Sequence, residues 1–564
     1  MIRIHEIKVR PGDIAGLSSK EKEALLAERA ERRLRLRAGS LVSVRIAKES
    51  IDSRRKPEIF WVYSLDAEGA EGDGPLLAAA ERAGVKAAPV RDESFTPEAP
   101  SRAFRGRPVV AGFGPCGIFA GLVLAMNGLR PVILERGSRM DRRIEAVERF
   151  WESGELSALT NVQFGEGGAG TFSDGKLTTG TRDPANRFVL ESFVEAGADP
   201  AILYRQRAHL GTDALREIVV RVRERIESLG GEIRFETSLA GLRLEDSGGQ
   251  DGLRVAAALL GDGTEIETDT VILATGHSAR DTVRELYREG LLMERKPFSM
   301  GVRIEHPQEL IDRAQYGAPH AELGLPPADY RLHVKTSSGR GVYTFCMCPG
   351  GYVVASASEE GGLVTNGMSN AARDAENANS ALLADVRPSD FPGEHPLAGI
   401  ELQEKYERLA FELGGGTYKA PVMRVGEFLG TGGEWRAAGS AKRGGTEAAS
   451  PSYRPGTVSA DIRKCLPDFV SEALAEALPM LGRQLEGFDD PDAPMTALES
   501  RSSAPFRILR GDDRMALSRE GRRVEGLFPG GEGAGYAGGI MSAAADGVRL
   551  AEAAGRLRPS DKRS

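Results

Sequence analysis

The stretch VVAGFGPCGIFAGLVLAMNGLRPVILERG, from Val109 to Gly137, restricts the possible folds of this chain more than any other. It reads as a strand, a glycine turn, an apolar helix and a second strand, with glycines at 112, 114 and 117. In such a βαβ unit each of these positions has its own task. Gly112 permits the tight turn, Gly114 lets backbone approach a pyrophosphate, and Gly117 lets the helix pack on the strand. Pro115 belongs to the same turn, and the helix N-terminus behind it faces the phosphates. Glu135 and Arg136 end the second strand, and a carboxylate there accepts hydrogen bonds from both hydroxyls of an unphosphorylated ribose. The unit therefore predicts a bound dinucleotide without a 2′-phosphate.

Two further segments decide between NAD and FAD. A hairpin around Gly261, Asp262 and Gly263 leads into TDTVILATGH, whose Ala274, Thr275 and Gly276 leave room for the chain to pass a bound dinucleotide. Near the C-terminus, GLFPGGEGAGYAGGIMSAAADGVRLAEAA reads as a strand, a glycine-rich turn containing Gly531, Glu532 and Gly533, and a helix whose first turn holds Gly538, Gly539 and Ile540. The positive end of that helix suits the charge that reduced flavin carries near N1 and O2. NAD explains only the first segment; a cofactor as long as FAD explains all three.

The chain has 564 residues and is 41% apolar, enough for several globular domains. Its net charge of -8 disfavours extended nucleic-acid binding. The longest apolar stretch, 117–126, is too short to span a bilayer, and the N-terminal residues lack the apolar core of a signal peptide, so a cytoplasmic location is expected. Four cysteines without metal-type spacing suit a reducing compartment, and no metal site is expected.

Residues 1–66 carry fifteen Lys and Arg against ten Asp and Glu, so the first unit, strand, helix and aromatic strand, is locally basic within an acidic chain; we read this as a solvated face. The proline-rich run over 87–107 reads as a linker. An amphipathic helix is expected over 212–229, with Leu215, Ile218, Val219, Val222, Ile226 and Leu229 on one face. GGGTY at Gly414 follows a helix and not a strand, so there is no dedicated NAD(P)H domain.

GFGPCGIFAGLVLA with LERG, GEGGAGTFSDGKLTTGTRD, HLGTDAL, ATGHSARDT, GVRIEHPQELID, FCMCPGGYVVASASEEGGLVTNGMS, ESRSSAPFRILR and GGEGAGYAGG together resemble the glutathione-reductase-like FAD superfamily. Within it they are similar to the bacterial FAD-dependent dehydrogenases that share an FAD-dependent C-terminal domain. The resemblance covers nearly the whole chain. It implies that Gly168, Gly170, Thr171, Ser173, Asp174, Gly175 and Lys176 form a loop over the pyrophosphate and ribityl chain, and that backbone near Leu239 holds adenine. It departs from the relatives at Met423, where they carry a glutamine.

The expected fold is α/β: a discontinuous Rossmann-like, glutathione-reductase-like FAD-binding domain over 104–297 and 508–560, with an inserted α+β second domain over 298–507 covering the flavin. A small N-terminal α+β domain over 1–95 completes it. The expected activity is two-electron transfer through flavin N5 on a small molecule bound between the two large domains. A flavin monooxygenase, and FAD as a structural group in an RNA- or protein-binding factor, are the alternatives. No catalytic acid or base is named. Cys346 and Cys348 alternate onto one strand face, where both could look toward a substrate, but they lack the CxxxxC pair of flavin disulfide reductases and are read as packing residues; Cys116 is read as a small residue in the turn. His277, Arg280 and Asp281 follow the Ala274–Gly276 segment, where His277 either contacts the cofactor or is solvated or hydrogen-bonded; Arg501 and Arg507 stand either near a carboxylate substrate or the flavin or in structural ion pairs.

Overall fold

The computed structural model describes residues 1–91, 93–247, 252–430, 442–443, 446–447 and 449–556. The end of the expected 508–560 segment, from 557, lies outside the described residues. The strands Val109–Ala111, Val132–Leu134, Val271–Leu273 and Leu527–Pro529 are each three residues long and buried throughout. Strands without a polar face need cover on both sides, the condition of a parallel sheet. With Glu232–Arg234 they form a five-stranded parallel sheet, in the order Leu527–Pro529, Val271–Leu273, Val109–Ala111, Val132–Leu134, Glu232–Arg234. Its last strand in sequence lies at one edge, so the sheet closes only after the chain has made a long excursion.

Pro115–Met126 is buried along ten of its residues and packs against Ile540–Gly555. Thr212–Ser228 presents Leu215, Ile218, Val219, Val222 and Ile226 to the same core, as expected from their spacing, while Leu229, expected on that face, caps the helix and is exposed. Ile540–Gly555 begins one residue after Gly539, so Gly538 and Gly539 precede the helix instead of lying in its first turn. A glycine at φ 88 does not fit helical backbone, which places the boundary there.

The excursion builds a seven-stranded sheet, in the order His333–Lys335, Gly341–Cys348, Asn377–Val386, Phe298–Pro307, Pro494–Glu499, Ala420–Arg424, Thr457–Ser459. Asp468–Gly482 and Ala398–Leu413 pack beside it, and Met423 lies in its core. A third sheet joins Leu41–Arg55, Glu58–Gly69, Ile2–Val9 and Ala87–Pro89, with the helix Ser19–Leu34 opened by a capping box between Ser18 and Glu21. The start of the expected linker is thus structured: Ala87–Pro89 finds hydrogen-bonding partners on Ile2–Val9. No helix among the described residues is long and apolar enough to cross a membrane.

Candidate functional site

The strand ends of the parallel sheet open into a cleft that continues to the face of the seven-stranded sheet. Gly112 has φ 104, and a Cβ there would collide with the Ala274 carbonyl; a Cβ on Gly117 would collide with the Gly112 carbonyl. These two glycines serve the turn and the helix contact. Gly114 differs. Its backbone is extended, and a Cβ would meet only the Gly168 Cα at 3.7 Å, so the space beside it belongs to the cleft. Pro115 starts the helix, which has no side-chain cap, leaving first-turn N–H groups for an anion.

Glu135 is buried at the cleft wall. Its carboxylate accepts from the backbone N–H of Phe113 at 2.9 Å, Gly137 at 2.9 Å and Gly165 at 2.8 Å. Oε1 takes two of these bonds and Oε2 one, so Oε2 keeps capacity for a ribose hydroxyl. Arg136 crosses to Asp281 at 2.9 Å and stacks on Phe164, and Leu239 lies beside it on the same wall. Ala274, Thr275 and Gly276 also line the cleft, as do Gly168, Gly170, Ser173, Gly531, Glu532, Gly539 and Ile540. The last helix, like the first, has no side-chain cap at its start.

Several expected residues stand behind this wall. Thr171 is fully buried, and its carbonyl accepts from Thr212. Asp174 is ion-paired with Arg373 and accepts from Ser369, Gly175 packs near Gly211, and the Lys176 ammonium bonds the Met347 carbonyl. These charges are paired inside the protein and not directed at the cleft. Gly533 is in close backbone contact with Gly276, and Gly538 is adjacent to the cleft-lining Gly539.

His277 lines the cleft with its Nε2 buried and without a hydrogen-bond partner among the described residues. Burial and the cations of Arg501 and Arg280 hold its pKa down to about 3, so the ring is neutral at neutral pH. Its Nδ1 is 3.5 Å from Glu532, whose carboxyl burial pushes up to about 7 against the pull of Lys296. Arg501 proves a structural ion-pair residue as well as a wall residue: it bonds Glu407 at 2.8 Å and Ser358 at 2.5 Å. Arg507 pairs with Glu294 at 3.1 Å.

The opposite wall, unforeseen from the sequence, comes from the seven-stranded sheet and its neighbours: Phe345, Cys346, Thr365, Asn366, Glu499 and Ser502. Cys346 corrects the expectation of a packing residue, because it faces the cleft. Its backbone there is left-handed, with φ 44, and Cys348, which alternation sets on the same strand face, is buried. Among the described residues no group of three His, Cys, Asp or Glu is placed to hold a metal.

The cleft thus offers two uncapped helix starts, a glycine cradle and a carboxylate with acceptor capacity, all of which fit FAD. Residues 297–502 match the family model for the FAD-dependent protein, C-terminal domain-like, and residues 1–68 match a model for a domain of unknown function. An uncharacterized protein of Clostridium beijerinckii is 46% identical over 509 residues, covering 90% of this chain and 91% of that one. Among solved structures, Thermovibrio ammonificans THI4 is 20% identical over 33% of this chain and 62% of its own, with a TM-score of 0.21. NikD, an amino acid oxidase of nikkomycin biosynthesis, is 13% identical over 80% of this chain and 94% of its own, with a TM-score of 0.33. Identity of that extent to the Clostridium protein, together with the domain match, makes this chain a member of the FAD-dependent protein family that carries this C-terminal domain, with FAD as its cofactor.

Proposed function

We propose that this protein is an FAD-dependent oxidoreductase that moves two electrons to or from a small molecule held between the parallel sheet and the seven-stranded sheet. The observation that carries this reading is the continuity of the cleft. It runs from the fingerprint turn at Gly114, past Ile540, to the wall at Asn366, Glu499 and Ser502. A purely structural cofactor has no need of a second, polar wall. On this reading, residues 104–297 and 508–560 are the FAD domain, 298–507 the substrate domain and 1–95 an accessory domain.

Bound FAD would supply hydride-equivalent transfer at N5. Gly114, Pro115, Gly168 and Gly170 would hold its pyrophosphate, Glu135 the ribose, and Leu239 the adenine side. The start of Ile540–Gly555 would stabilise negative charge at the other end, its first N–H groups having no side-chain partner. Glu532, with its carboxyl near neutrality, can hold or release a proton at the wall beside neutral His277. The second sheet limits water on the far side.

The test is rapid mixing of the anaerobically reduced protein with a quinone, a disulfide and dioxygen. One acceptor class is expected to reoxidise the flavin at a rate that rises with its concentration. Uniformly slow reoxidation by all three would favour a structural cofactor. Oxygen uptake coupled to hydroxylation of an added substrate would favour a monooxygenase.

A further inference from the structure

The geometry points to Cys346 and Cys348 as a redox-active dithiol that exchanges two electrons with the flavin of the same cleft. This inference rests on the oxidoreductase reading and names the first redox partner of that site.

The strand Gly341–Cys348 pairs with Asn377–Val386 in register up to Phe345 opposite Ala381, and pairing resumes at Cys348 opposite Asn379. Cys346 and Met347 therefore stand together against Ser380, a β-bulge. Bulges beside functional sites re-aim a side chain. Cys346 adopts φ 44, a left-handed backbone that a residue with a Cβ takes uncommonly. Met347 and Cys348 are buried, while Cys346 reaches the cleft wall.

The two cysteines remain in contact across the bulge. Cys348 Sγ donates to the Cys346 carbonyl oxygen at 3.3 Å. Two cations brace the turn: Arg303 donates to the Cys346 carbonyl at 2.9 Å, and the Lys176 ammonium bonds the Met347 carbonyl. The Cys348 hydrogen bond, then Arg303 and Lys176, hold the Cys346 thiol below the ordinary thiol range, against burial and Asp174. The contact with Cys346, and burial, push Cys348 up. One sulfur thus favours the thiolate at the cleft, and the other keeps its proton behind it. The remaining cysteines differ: Cys116 and Cys465 are buried, and burial raises both.

The step balances within the protein. As one S–S bond forms between Cys346 and Cys348, the thiolate and the thiol together lose two electrons and the one proton that Cys348 held. The oxidised flavin takes both electrons and one proton. The reverse step restores the dithiol.

The experiment is an anaerobic dithionite titration of the FAD-loaded full chain after oxidation with diamide. The wild type is expected to take up about four electrons per flavin, and Cys346→Ser and Cys348→Ser about two each. A second readout needs no flavin. In the diamide-treated full chain, the peptide carrying both cysteines should resist alkylation and become doubly labelled after dithiothreitol. Uptake of about two electrons by the wild type, with both cysteines labelled despite diamide, would overturn the proposal. Four-electron uptake that persists in both variants would overturn it equally. A chain that purifies without FAD defeats the oxidoreductase reading instead, and alkylation then decides whether the pair closes.

Discussion

A Gly114→Val protein is expected to fold and to purify without colour. Gly114 has extended backbone, with φ -83 and ψ -175, open to any residue, so the substitution introduces no strain in the turn. Its Cβ would touch only the Gly168 Cα at 3.7 Å, and the valine methyls would occupy the space where a pyrophosphate must approach. Gly112 and Gly117 make poor tests, because a Cβ at either collides with backbone and damages the fold itself. The check is the flavin absorbance per chain beside the far-ultraviolet circular dichroism. Loss of at least nine-tenths of the flavin with an unchanged circular dichroism spectrum is expected, which from near-full occupancy is a fall in affinity of about eighty-fold or more, roughly 2.6 kcal/mol. Full flavin occupancy in the variant would show that this turn does not hold the cofactor.

Glu407→Ala is expected to destabilise the protein by about 3–5 kcal/mol, the usual consequence of leaving a buried charge without its partner. Glu407 is 1% exposed and receives Arg280 at 2.8 Å, Arg501 at 2.8 Å and Ser500 at 2.6 Å. Arg280 starts the helix after the Ala274–Gly276 segment, Glu407 lies on Ala398–Leu413, and Arg501 follows Pro494–Glu499. The cluster therefore ties the cofactor frame to the second sheet, and the carboxylates left near the two guanidinium groups, Glu359 and Glu404, are more exposed and do not replace the bonds that Glu407 makes to both. The two arginines hold the Glu407 carboxyl well below its ordinary value of 4.5. Because the folded-state pKa is lowered, the stabilisation is complete above pH 4.5 and is lost as the pH falls through the depressed value. Chemical denaturation at pH 7 and at pH 3 checks both parts. The difference between wild type and variant should be full at pH 7 and smaller in acid, and equal stabilities at pH 7 would remove the cluster's structural role.

The first wall of the cleft was legible in the sequence because its constraints are local. A turn that needs glycine at 112, 114 and 117, a helix behind it and a carboxylate at 135 are all written within one βαβ unit. The second wall was not legible. Phe345, Asn366, Glu499 and Ser502 come from segments far apart in sequence, two of them on strands of the seven-stranded sheet, one on the two-stranded sheet of Tyr352–Ala355 and Thr365–Met368 and one just past a strand end, and only the tertiary fold brings them together. Cys346 was legible in part. Alternation lets Cys346 and Cys348 face one side together, but neither the bulge nor the positive φ that separates them leaves a trace in the residues nearby. Asp174 and Lys176 resemble ligand-facing residues, yet their partners Arg373, Ser369 and Met347 lie far along the chain and draw them inward.

The central claim, that the cleft between Gly114 and Ile540 holds FAD, is tested most directly by denaturing the purified wild-type protein and separating whatever flavin it releases. The predicted result is a yellow protein that releases FAD in an amount equal to the chain. Release of FMN alone, or of no flavin from a folded protein that also fails to bind added FAD, would contradict it.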